Sequence, residues 1–172
     1  MIKNLLIFSR NISFMRAPKL MAFITTGVLV TFISCKSTAD LERENIYSGI
    51  ITMSNGQEVP ASPVSSSATG TIDASYNKLT KTLTYKISFS GLTGNATAAH
   101  IHGIAESGVT TGVVQSFSGF PAATAGTYSG SLYFDGVKLI ESELIDRRYY
   151  VNIHTASNPG GEIRGQLILT RK

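Results

Sequence analysis

The sequence holds three histidines and no more, all in two short stretches, Ala98-Ala99-His100-Ile101-His102 and Tyr149-Tyr150-Val151-Asn152-Ile153-His154. Imidazole nitrogens are ligands for zinc and copper. In an extended chain, residues two apart share a side and their Cα atoms lie about 6.5 Å apart, so His100 and His102 reach one ion together. His154 becomes the third ligand if the two stretches are neighbouring strands. Alternation places Asn152 on the same side as His154, and in Glu162-Ile163-Arg164-Gly165-Gln166 it groups Glu162, Arg164 and Gln166. A carboxylate such as Glu162 can orient a ligand ring through its second nitrogen. The same residues also make a plain framework, in which His100, His102, His154 and Asn152 satisfy loop backbone groups and Glu162 pairs with Arg164. That framework is the first expectation, with no cofactor; copper or zinc on the three histidines, with Asn152 and Glu162 behind them, is the alternative.

Other chemistries find little support, and the chain is expected not to be an enzyme. It has no Gly-x-Ser-x-Gly elbow, no phosphate-binding Gly-Lys loop and a single cysteine. Besides Glu162, the acids nearest strand ends are Asp73 and Glu58, and each is expected in solvent. Arg147-Arg148 are expected to close a short helix, and Tyr149 and Tyr150 to divide between core and surface.

These side chains must be positioned by strands. From Gly49 onward, short β-branched or alternating runs are separated by clusters of Gly, Asn, Pro and Ser, a pattern that predicts an all-β fold. The architecture expected is an antiparallel, Greek-key-like β-sandwich or barrel with at most one short helix, near 139–146. Strands are expected over 49–54, 67–74, 80–88, 98–102, 112–117, 126–134, 149–154 and 162–170. Paired residues share a face, so the last hairpin should pair even positions with even: His154 with Glu162 and Asn152 with Arg164.

The first 45 residues carry a different message. Leu20 to Ser34 is an uncharged, largely apolar run, preceded by Arg16 and Lys19 and ended by Cys35, the layout of an export signal. As a helix it would rise about 22 Å, short of a bilayer's roughly 30 Å hydrocarbon core. Phe32-Ile33-Ser34-Cys35 resembles a bacterial lipobox, which implies cleavage before Cys35 and its lipidation. The expected organisation is therefore a signal peptide over 1–34, a lipidated Cys35 with a polar tether over 35–48, and one domain over 49–172. Translation from Met15 would give a more compact leader than translation from Met1. The basic excess, 15 Lys and Arg against 11 acids, resides in Lys3, Arg10, Arg16 and Lys19, so the rest is formally neutral and a nucleic-acid partner loses its electrostatic basis. Lys36, in the place where some bacteria read an inner-membrane retention Asp, resembles outer-membrane sorting.

Several segments together resemble one known family. They are Gln57-Glu58-Val59-Pro60, Leu83-Thr84-Tyr85, Ala98-Ala99-His100-Ile101-His102-Gly103, Tyr150-Val151-Asn152-Ile153-His154-Thr155 and Pro159-Gly160-Gly161-Glu162-Ile163-Arg164-Gly165-Gln166. In this order, from about Gly49 to Leu169, they look like the CHRD domain, first described in chordin and widespread in bacterial exported proteins. The resemblance implies a non-enzymatic, extracytoplasmic binding or scaffold module. The expectation is thus a lipid-anchored CHRD protein of the cell envelope, held to the membrane through Cys35 and meeting an extracytoplasmic protein partner. A purely structural cell-surface domain is a further alternative.

Overall fold

The computed structural model describes residues 37–172; the expected signal peptide and the lipidated Cys35 lie outside the described residues. Among the described residues nine strands form one curled antiparallel sheet: β1 (Ile46–Ser54), β2 (Thr69–Asn77), β3 (Thr82–Ser90), β4 (Ala96–Gly103), β5 (Val113–Ser116), β6 (Gly126–Tyr133), β7 (Tyr149–Thr155), β8 (Ile163–Gln166) and β9 (Thr170–Arg171). Their order is β5-β4-β7-β8-β1-β2-β3-β6, with β9 beside β1. Two halves, β6-β3-β2-β1 and β8-β7-β4-β5, meet where Ser54 of β1 pairs with Arg164 of β8. Ile72, Leu83 and Ile87 of the first half and Ile101, Val151 and Leu167 of the second line one interior cavity of about 10 Å³, so the halves face each other across a shared core.

The first half shows how its sequence dictates this. In β2 and β3 every second residue is buried, from Gly70 through Ile72 and Ala74 to Tyr76, and from Leu83 through Tyr85 and Ile87 to Phe89. The intervening Thr, Ser, Asp and Lys face outward. Burying each large apolar side chain contributes roughly 1.5–3 kcal/mol, which fixes the register because a one-residue slip would expose the whole set.

The second half departs from that rule. Every residue of β7 and β8 is buried. Odd positions, Val151, Ile153 and Ile163, join the apolar core. Even positions, Tyr150, Asn152, His154, Arg164 and Gln166, are buried on the other side. Loop segments cover this second face. Val109 supplies a carbonyl to Arg164 (2.9 Å), Thr111 a carbonyl to His102 (2.8 Å), and Ala105 and Arg147 carbonyls to Gln166 (3.4 and 2.6 Å).

Three local expectations are corrected and one is met. Residues 35–48 were expected as a tether, but within them Thr38–Glu44 form a helix, α1, and β1 begins at Ile46. The helix starts on a reciprocal cap: the Ser37 hydroxyl donates to Asp40 (2.7 Å) while the Asp40 backbone N–H donates to the Ser37 hydroxyl (3.1 Å). The expected helix near 139–146 is the short α2 (Glu141–Ile145). The last expected strand is two, because pairing with β7 ends at Gln166 and the chain then crosses to β1. Neither Tyr149 nor Tyr150 is at the surface; Tyr149 packs in the apolar core against Phe134 and Tyr150 lies in the second layer.

Candidate metal centre

Strands β4 and β7 bring the three histidines together. The register sets His100 opposite Asn152, His102 opposite Tyr150 and Ala98 opposite His154, so all three rings project into the covered polar layer. One nitrogen from each can be chosen such that all lie within 4.8 Å of one another. Ligands around one ion with bonds of about 2 Å must lie no farther apart than about 4 Å, so small ring movements bring the set onto one ion.

The hydrogen bonds fix the tautomers. Nδ1 of His154 faces the Pro159 carbonyl at 2.9 Å and Nδ1 of His102 faces the Thr111 carbonyl at 2.8 Å. A carbonyl only accepts, so each Nδ1 carries the proton and each Nε2 presents a lone pair. The Nε2 of His154 accepts from Nδ1 of His100 at 3.0 Å. The Nε2 of His102 is buried with no hydrogen-bond partner among the described residues. Burial, followed by the neighbouring His102, holds the His100 ring below its ordinary pKa. Burial also lowers His154, helped by His100 and His102 and opposed by its bond to Pro159. Both shifts favour the neutral ring, the form that binds metal.

Behind the centre the side chains are layered. The His102 ring stacks on Tyr150, with centroids 4.8 Å apart and planes at 9°. The guanidinium of Arg164 lies 3.4 Å over the Tyr150 ring. Arg164 also donates to Val109 and Gln166, while its Nη1 has no partner. Asn152 donates to the Gly160 carbonyl at 3.3 Å, and its Oδ1 has no partner. Glu58 is buried in this layer rather than solvated as expected; burial pushes its carboxyl up to about 7, against the opposing pull of Arg164 and Asn152. Asp73 is exposed, as expected.

Glu162 does not join the centre. It was expected to pair with His154 or Arg164, but the ladder between β7 and β8 ends at Ile153–Ile163, and beyond that point alternation no longer aims a side chain. The carboxylate instead accepts from the hydroxyls of Thr155 (2.6 Å), Ser66 (2.6 Å) and Thr93 (2.8 Å) and from the Thr93 backbone N–H (2.8 Å). Arg147 and Arg148 do close α2: their backbone N–H groups donate to Leu144 and Glu143, and the Arg148 side chain pairs with Glu143 at 3.0 Å.

Sequence reasoning missed the two carbonyls that orient the rings, because backbone groups carry no residue signature. It also missed Glu58, whose one signal was its place in the Gln57-Glu58-Val59-Pro60 segment.

The fold and the centre define an all-β, antiparallel two-layer domain carrying a buried three-histidine cluster on its second face. The CHRD domain model matches residues 50–167, which include β2 to β8 and the latter part of β1, and the chain belongs to the CHRD domain family. No curated protein and no solved structure shows a significant match.

Proposed function

We propose that this CHRD protein is an extracytoplasmic, lipid-anchored module that binds one metal ion of the copper or zinc class through His100, His102 and His154. One observation carries the reading: the Nε2 lone pair of His102 is buried without a partner beside that of His154, while both Nδ1 atoms are pinned by carbonyls. A buried polar atom with no bond costs about 1–3 kcal/mol, and an ion bound there would relieve the cost. Membership in a family of binding-type modules agrees with this reading.

The test is a titration of the full chain, purified in detergent without a metal-affinity tag, with copper and zinc. About one equivalent should bind, and His154→Ala should lose it while keeping its β-sheet circular dichroism. Unchanged uptake in that variant would overturn the metal reading.

The envelope location rests on the apolar run ending at Cys35. Among the described residues no helix is long and apolar enough to cross a membrane. Cys35→Ser should move the chain from the membrane fraction to the soluble fraction; an unchanged partition would remove lipidation from the account.

A further inference from the structure

The three histidines are not held alike. His102 and His154 are each 8% exposed, and each is anchored from outside the cluster, by the carbonyls of Thr111 and Pro159. His100 is only partly buried, and its ring's one hydrogen bond is to His154 itself. Because Nδ1 of His154 is committed to Pro159, its Nε2 is an acceptor, and the proton between the two rings belongs to Nδ1 of His100. An ion can therefore use His154 only when His100 turns away, or moves its proton to Nε2 and offers Nδ1 as a ligand.

Resting on the metal-binding reading, we propose that His102 and His154 form a fixed pair that carries monovalent copper, and that His100 is the exchanging ligand through which the ion enters and leaves. Monovalent copper has a filled d shell and accepts two imidazole nitrogens in a bent or near-linear arrangement, with a third ligand optional. Zinc is held by four ligands and divalent copper by a tetragonal set. Both need His100 as well as the fixed pair, with solvent or a partner completing the shell. Two nitrogens on one ion at about 2 Å each stand about 4 Å apart, and the three rings each offer a nitrogen within 4.8 Å of the others, so the pair lies near the spacing it needs. Transfer is then a ligand exchange with no change of oxidation state. The bond from copper to His100 breaks as a donor atom of the acceptor bonds to the same copper, and the fixed pair lets go afterwards.

The test uses the full chain in detergent, under anaerobic reducing conditions, with a chromogenic chelator of monovalent copper as both competitor and acceptor. Zinc and divalent copper are titrated separately. His100→Ala changes the least buried of the three positions and should fold. It should keep one equivalent of monovalent copper with affinity within about tenfold of the parent, release it to the chelator at least about tenfold faster, and lose zinc and divalent copper by about a hundredfold or more. His102→Gln and His154→Gln, whose amides can still donate to the anchoring carbonyls, should lose all three ions. The proposal is overturned if His100→Ala loses monovalent copper as completely as His102→Gln, or if either Gln variant keeps it. Binding of zinc but not of monovalent copper by the parent chain overturns this assignment alone. Binding of no ion overturns the metal-binding reading beneath it.

Discussion

Glu58 and Glu162 are both buried carboxylates, yet the domain treats them in opposite ways. Glu162 sits at the end of β7 and β8, where three hydroxyls and one backbone N–H donate to it. Burial alone would raise its pKa, but the bonds from Ser66, Thr155 and Thr93 outweigh burial and hold it below the ordinary carboxylate value. Glu58 lies in the polar layer against Gly161, with one oxygen unpartnered, and is pushed up to about 7. The first corner is complete and ties the segments around Ser66, Thr93 and Thr155 to the last hairpin. The second belongs to a layer that also leaves atoms of Arg164, Asn152 and His102 without partners. Bond satisfaction thus separates the two carboxylates: both oxygens of Glu162 are taken, whereas Glu58 and its neighbours Arg164, Asn152 and His102 retain unused donors and acceptors.

The largest effect should come from dismantling the complete corner. Glu162→Ala removes one acceptor from four donors, one of them the backbone N–H of Thr93. At about 1 kcal/mol or more for each bond to a charged acceptor, the loss should be about 4 kcal/mol in denaturant unfolding. Metal uptake by the fraction that remains folded should be unchanged. Loss of uptake at full folding would show that the corner and the centre act as one unit and would break the comparison.

How far the sequence speaks differs between these two regions. The alternating runs of β2, β3 and β6 make the sheet legible, and the even register of Asn152 with Arg164 follows from keeping the polar residues of two strands on one side. His100, His102 and His154 are grouped by the same argument. The destination of Glu162 is not legible, because strand alternation applies only while the ladder continues, and it stops one residue short of this side chain. Nor does alternation reveal that the polar face of β7 is covered, since the loops over it contribute backbone carbonyls from Ala105, Val109 and Thr111 rather than a residue pattern. The α1 start was written in the sequence as Ser37-Thr38-Ala39-Asp40, a capping spacing that the polar composition of the segment conceals.

A smaller effect sharpens the comparison through pH. The Glu58 carboxyl ionises near 7 in the folded chain, against 4.5 for an ordinary glutamate. The folded chain therefore holds a proton that the unfolded chain has already released. This contribution to stability is complete below about pH 4.5, declines as pH rises through 7, and is gone above about pH 8. A shift of this size corresponds to a loss of about 3 kcal/mol across the window. Glu162 has the opposite sign, since its depressed pKa contributes stability above the ordinary value that is lost as pH falls. From pH 4.5 to 8.5 His100 and His154, whose pKa values folding lowers, contribute with the opposite sign, so the Glu58 part is read as the difference between the unfolding curves of the parent chain and of Glu58→Gln. Glu58→Gln keeps the shape and removes the titration, so from pH 4.5 to 8.5 its stability should rise relative to the parent chain by about 3 kcal/mol. If both curves decline alike, the titrating group lies elsewhere and Glu58 is as well satisfied as Glu162. A difference of about 3 kcal/mol between the curves would assign that part of the slope to a carboxyl with one oxygen that folding leaves without a donor, within the layer that holds the histidines.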